Sequence, residues 1–207
     1  ATPGSTVVTW KDGSAAHVFL APDERWRVPV GLERVDPAYV EALVRYEDKR
    51  FWWHPGVDPV AVARAAGLNL AHGQVMSGGS TLTMQLVRVL EPRPRTLSSK
   101  VVEAWRALQI EWFLSKDEVL QAYVTFAPMG RNVEGVEAAS LGWFGHSATE
   151  LSAAEIATLL AVPQNPNVRY PTRDNLVRLV QARDDIAAFL LEHEAMRLGP
   201  EGVSPAQ

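Results

Sequence analysis

Glu47-Asp48-Lys49-Arg50-Phe51-Trp52-Trp53-His54-Pro55-Gly56-Val57-Asp58 closes an apolar helical pattern with two adjacent carboxylates. Val40, Leu43, Val44 and Glu47 recur at helical spacing, so Glu47 falls on the face that otherwise points inward. A carboxylate there is costly to bury unless it is paired or its proton affinity rises. A raised affinity suits a general base or acid working near neutral pH. These residues alone leave two readings of Glu47. One is a catalytic group at the mouth of a cleft, the other a helix-terminal Glu that snorkels to water or bonds nearby backbone.

Outward from this stretch the chain reads as mainly helical. Asp36-Pro37 and Asp58-Pro59 each pair an N-cap with proline at the first helical position. The first opens the Glu47 helix and the second an alanine-rich helix from Val60 to Leu70. A loop from Gly73 to Gly79 leads to a helix from about Thr81 to Leu90, which Glu91-Pro92-Arg93-Pro94-Arg95 breaks. The next helix, about Ser98 to Leu114, carries the apolar stripe Val101, Trp105, Leu108, Trp112. Ser115 with Glu118 and Ser152 with Glu155 fit capping boxes opening two more, the second ended by Pro163 and Pro166. A final helix spans about Arg173 to Glu192. Before all of these, Thr6–Trp10 and Ala16–Leu20 flank the turn signal Asp12-Gly13 as a hairpin, with a third extended piece around Trp26–Val30. The expected organisation is a β appendage over 1–30, a helical domain over 31–192, and a tail or linker over 193–207.

A chain of 207 residues with 47% hydrophobic and 21% charged residues buries a core of its own and is not disordered. A net charge of -4 gives no reason to expect nucleic acid as a partner. The lack of cysteine fits an exported protein and many cytosolic ones alike. No run nears the roughly 18 apolar residues that span a bilayer, no signal peptide opens the chain, and Ala1-Thr2-Pro3-Gly4 reads as a trimmed or mature terminus. Seven tryptophans, Trp52, Trp53, Trp105 and Trp112 among them, suit a membrane interface or a core.

Three clusters bear on chemistry. In the first, His54 and Asp58 accompany Glu47 and Asp48. The turn Pro55-Gly56 between them favours structural roles over metal binding, with Asp58 as an N-cap. In the second, Gly78-Gly79-Ser80-Thr81 precedes a helix on which Thr81, Gln85 and Arg88 share one face. Free amides at that helix start would suit a phosphate or a sugar; an ordinary cap on a solvated face is the plainer alternative. In the third, Arg88, Arg93, Arg95 and Lys100, with Glu103 on the face of Lys100, would neutralise a pyrophosphate or simply form a basic surface. Taken together they describe glycosyl transfer with a phosphorylated leaving group, which needs no strong general acid, unlike glycoside hydrolysis.

E-D-K-R-F-W-W-H-P-G-V-D, G-G-S-T-L-T-M-Q-L and K-D-E-V-L-Q-A-Y, in this order, resemble the peptidoglycan glycosyltransferases of family 51. These are the transglycosylase domains of class A penicillin-binding proteins and their monofunctional relatives. The likeness runs from about Trp26 to Leu191. The R-W-R-V-P-V lead-in, W-R-A-L-Q-I-E-W and A-P-M-G-R-N-V-E-G-V are most similar to the penicillin-binding protein 1C type.

The resemblance implies a lysozyme-like helical fold at the outer face of the bacterial cytoplasmic membrane. It implies inverting transfer of a lipid-pyrophosphate-linked glycan to lipid II, with release of polyprenyl pyrophosphate. Glu47 matches the base that deprotonates the acceptor 4-hydroxyl, and Glu103, with Lys100, matches the third motif; Glu47 and Glu103 are the catalytic candidates. Asp48, Ser80, Thr81, Thr83, Gln85, Arg88, Arg95 and Lys100 match substrate- or pyrophosphate-binding positions. Phe51, His54, Gly56 and Asp58 match the structural part of the first motif. A divalent cation, magnesium or manganese, often supports the pyrophosphate in this family, and no organic cofactor is implied. Implied partners are lipid II, the nascent strand and a fused or separate transpeptidase among other cell-wall proteins. Residues 60–75 correspond to the part that dips toward lipid.

Met84, Val89, Ser99, Thr125 and His146 depart from the common pattern, and Arg183-Asp184 matches the closing Arg-rich motif only in part. Ser99, Thr125 and His146 motivate a second reading, a catalytically degraded module that binds lipid II or glycan as a scaffold.

Overall fold

The computed structural model describes residues 3–11, 15–72 and 79–192, without the side chains of residues 69, 71 and 72. The expected turn at Asp12-Gly13, all but the last residue of the expected loop from Gly73 to Gly79, and the tail over 193–207 lie outside the described residues.

Helices make most of the fold. Strands β1 (Thr6–Thr9) and β2 (Ala15–Phe19) pair antiparallel as the expected hairpin. The third extended piece does not extend this sheet. It forms β3 (Trp26–Arg27), which pairs in parallel with β4 (Val133–Glu134), a strand with no signal of its own. The pairing is held by charge. Buried Arg27 donates from Nε to Glu134 at 2.8 Å and from Nη2 to Asp23 at 2.9 Å.

The helices are α1 (Pro37–Glu47), α2 (Pro59–His72), α3 (Leu82–Leu90), α4 (Leu97–Phe113), α5 (Lys116–Phe126), α6 (Val136–Trp143), α7 (Ala153–Gln164), the single turn α8 (Pro166–Arg169) and α9 (Leu176–Glu192). Asp36 caps α1 by accepting from Ala38 N–H, and both expected capping boxes form, at Ser115 with Glu118 and at Ser152 with Glu155. Pro163 lies within the last turn of α7, so that helix ends at Gln164. Helix α6 was not expected. It starts at Gly135 in the left-handed region (φ +85°), where an added Cβ would lie 2.5 Å from the Thr125 carbonyl.

The core gathers Tyr39 and Leu43 of α1, Leu82 and Leu86 of α3, Leu120 of α5, Leu159 and Leu160 of α7, and Ile186 and Leu190 of α9, with Phe51 between α1 and α2. Each such side chain contributes about 1.5–3 kcal/mol relative to exposure. On α1 the inward face continues from Leu43 to Glu47 one turn later, which brings that carboxylate to the rim of the core.

Helix α4 reverses the usual arrangement. Its apolar stripe faces outward: Val101, Trp105, Leu108 and Trp112 are exposed, as are Leu97 and Phe113 beside them. The inward face is Glu103, Ala107 and Glu111. Both carboxylates tolerate burial because cations meet them: Arg88 at Glu103, and Lys116 at Glu111 at 2.6 Å.

Candidate active site

Glu47 ends α1 half-buried and accepts one amide on each oxygen. Gln85 on α3 donates from Nε2 to Oε2 at 2.8 Å, and Gln164 at the end of α7 donates to Oε1 at 3.1 Å. Pairing is thus how this carboxylate is accommodated. Tyr123 of α5 donates to Gln85 Oε1 at 3.2 Å. Its hydroxyl keeps its proton, since burial first and then the Glu47 charge push its pKa well up, against a downward pull from Arg88. Tyr39, buried beneath the same carboxylate, is raised by burial and then by Glu47.

Arg88 follows Gln85 on α3 by three residues, about 4.5 Å along the axis. It binds Glu103 of α4 through two nitrogens, Nε to Oε1 at 2.9 Å and Nη2 to Oε2 at 2.7 Å. That bond is the first cause of a raised Arg88 pKa, so the guanidinium is charged at every working pH. Lys100 is half-buried in the first turn of α4, and Arg95 is exposed in the link before it. Arg93 instead pairs with Glu91 at 2.7 Å.

Asp48 is buried and spends its carboxylate on internal partners. Its Oδ1 lies 2.9 Å from His54 Nε2, and its Oδ2 accepts the Leu82 amide at 3.0 Å. It therefore ties the end of α1 to the start of α3. The amides there are not all free for a ligand: Leu82 N–H is taken by Asp48, and Met84 N–H by the capping Thr81 hydroxyl at 3.2 Å. Thr81 Oγ1 in turn donates to the Gly56 carbonyl at 2.6 Å. Thr83 is fully buried and donates to Glu111, on the α4 side and not toward Glu47. Ser80 is half-buried just before the cap.

The rest of the first motif holds the turn. Phe51 is in the core with Lys116 Nζ 4.3 Å above its ring, and Lys116 also donates to the His54 carbonyl at 2.6 Å. Asp58 caps α2 through the Val60 and Ala61 amides, both 3.0 Å, and pairs with Arg50 at 2.7 Å. Burial pushes the Asp58 carboxyl up, but Arg50 and those amides outweigh it and hold the pKa below the ordinary value. Gly56 (φ +93°) packs on α4, where an added Cβ would lie 2.5 Å from the Ala107 carbonyl.

Among the described residues no three His, Asp or Glu side chains converge to hold a metal ion. Glu47, Asp48 and Glu103 each already accept from internal donors. The described residues therefore form no cation cage of their own.

The transglycosylase family model matches residues 12–190. The chain belongs to the transglycosylase family. Within it, the chain is 49% identical over 167 residues to penicillin-binding protein 1C of Escherichia coli, which covers 81% of this chain and 22% of that protein. It is 37% identical over 171 residues to penicillin-binding protein 1A of the same organism, with 82% and 20% covered. It is also 37% identical over 192 residues to penicillin-binding protein 1A of Aquifex aeolicus, with 89% and 26% covered. The transglycosylase chain thus spans about a fifth to a quarter of the length of these relatives. The crystal structure of penicillin-binding protein 1A from Haemophilus influenzae shares the fold, at a TM-score of 0.50 and 18% identity over 95% of this chain and 19% of that one.

Two polar residues at the site carried no sequence signal. Gln164 reaches Glu47 from 117 positions away, and Arg169 of α8 donates to Gln164 Oε1 at 2.8 Å. Four of the departures from the family pattern have local roles. Met84 is buried between α3 and α4, Thr125 donates to the Gln121 carbonyl at 2.8 Å, Ser99 lies 2.9 Å from the capping Thr96, and His146 pairs with Glu155 at 3.0 Å.

Proposed function

We propose that this chain is a peptidoglycan glycosyltransferase that polymerises lipid II into β-1,4-linked strands. The observation that carries the reading is the layout along α3. A carboxylate gripped by two amides stands at Gln85, and a permanently charged guanidinium stands one turn on at Arg88. Glu47 takes the proton as the acceptor 4-hydroxyl breaks its O–H bond, and that oxygen forms a bond to the donor's anomeric carbon. The bond from this carbon to the pyrophosphate oxygen breaks, and polyprenyl pyrophosphate leaves with the electron pair, inverting the centre. Arg88, Arg95 and Lys100 meet the charge on the leaving group, and Glu103 orients Arg88.

A lipid-linked substrate calls for work at a bilayer surface. No helix among the described residues is long and apolar enough to cross a membrane. What supports the reading is exposed apolar surface: Trp105, Trp112 and Phe113 on α4, Leu68 and Leu70 on α2, and Trp53 after α1. That exposed surface supports the outer face of the cytoplasmic membrane as the place of work.

The test is a gel assay of labelled lipid II polymerisation. Glu47→Gln abolishes polymer while its thermal melt stays that of the parent. Polymer at the parental rate from that variant would overturn the reading. Lipid II binding by the parent without any polymer would favour a scaffold.

A further inference from the structure

Gln164 is out of the reach of any motif, yet it touches the base. Its Nε2 donates to Glu47 Oε1 at 3.1 Å, and its Oε1 accepts from Arg169 Nη1 at 2.8 Å. Arginine offers donors only, and an ionised carboxylate offers acceptors only. The amide between them is keyed from both ends, its oxygen toward Arg169 and its NH2 toward Glu47. Arg169 is steadied in turn by a bond from the same Nη1 to the Ala161 carbonyl, 2.9 Å away. A break in the helix makes this possible. Pro163 sits in the last turn of α7, Asn165 leaves helical geometry (φ -149°, ψ 72°), and Pro166 restarts the chain as α8. Arg169 is thereby carried back over the turn it has just left.

The opposite oxygen of Glu47 has a matching arrangement, with Tyr123 holding the oxygen of Gln85 while Gln85 NH2 meets Oε2. The terminal torsion of a glutamate is broad, so one hydrogen bond leaves the carboxylate free to swing. Two donors, one on each oxygen, stop that rotation.

We infer that Gln164 and Arg169 are positioning residues for the base: Arg169 orients the Gln164 amide, and Gln164 fixes the plane of the Glu47 carboxylate toward the acceptor hydroxyl. The inference rests on the reading of Glu47 as general base. Misplacement of a base weakens the transition state more than it weakens ground-state binding, so the loss falls on kcat.

The test is kcat and KM for lipid II polymerisation by the purified chain, with thermal melts of every variant. Gln164→Met lowers kcat about tenfold and leaves KM within about twofold. Arg169→Met lowers kcat in the same direction, and Arg169→Lys, which keeps a donor, recovers most of that loss. Because Arg169 acts through Gln164, the double Met variant is no slower than Gln164→Met alone. Parental kcat in Gln164→Met, multiplicative losses in the double variant, or a loss carried by KM would each overturn the inference. Glu47→Gln, assayed alongside, separates the two ideas. Polymer from Glu47→Gln removes the base itself, whereas no polymer there with normal Gln164→Met removes only the arm.

Discussion

Arg88 and Glu103 face each other across the α3–α4 interface with two parallel bonds, 2.9 and 2.7 Å long, and Glu103 is almost fully buried while Arg88 keeps about a third of its side chain in solvent. The pair serves both packing and charge: it satisfies an acid on the inward side of α4 and holds a cation beside the proposed donor site. A planar fork on a carboxylate fixes direction as well as distance.

Removing one partner should therefore do more harm than removing both. Glu103→Ala is expected to cost about 2–3 kcal/mol in chemical denaturation, below the 3–5 kcal/mol of a fully buried pair because Arg88 is partly solvated. Arg88→Met with Glu103→Met is expected to recover most of that stability and none of the polymerisation. Recovery of polymer in the double variant would show that the pair matters for packing alone.

Asp48 and Glu47 are neighbours in sequence with opposite expected phenotypes. Asp48→Ala strands the Leu82 amide and His54 in the interior, at an expected cost of about 2–4 kcal/mol in a denaturant melt. Glu47→Gln keeps the fold and loses the reaction. An Asp48→Ala chain as stable as the parent would refute the tie between α1 and α3.

Two glycines should answer alanine in opposite ways. Gly56→Ala meets the Ala107 carbonyl at 2.5 Å in a left-handed backbone and is expected to cost at least about 2 kcal/mol. Gly67→Ala, inside α2 with nothing within 4 Å, is expected to gain about 0.5–1 kcal/mol. Thermal melts of the two variants check the pair.

How much of this was legible in the sequence depends on how far each feature reaches. Asp36, Asp58, Ser115 with Glu118, and Ser152 with Glu155 act within a few residues, and their helices begin where expected. Helix α6 and strand β4 depend on a left-handed Gly135 and on a partner more than a hundred residues away, so local pattern is silent there. Periodicity found the apolar stripe on α4 but does not say which side is covered. Here the ion pairs at Glu103 and Glu111 decide it. Glu47 stood out because it shares a face with Leu43. Gln164 lies one turn beyond buried Leu160 in the same way, but an uncharged amide at that position is no anomaly, and nothing local points to a partner 117 residues away.

His146 gives a pH signature. The Ser147 carbonyl first, and then Glu155, raise its pKa above the ordinary 6.5. The protonated ring is favoured in the folded chain, so the contribution is fully present below about pH 6.5 and is lost as pH rises through the folded-state value. The ring is largely exposed, so the effect is expected below about 1 kcal/mol. Stability of the parent minus that of His146→Gln, followed from pH 5 to 9, is expected to shrink with rising pH; a flat difference would refute it.

Helix α4 is a seventeen-residue rod with Glu103 on one side and Trp105 on the other. The surface that α4 shows to the outside, Trp105, Trp112 and Phe113, therefore shares one backbone with the carboxylate that holds Arg88, and whatever binds that surface binds the helix that carries Glu103.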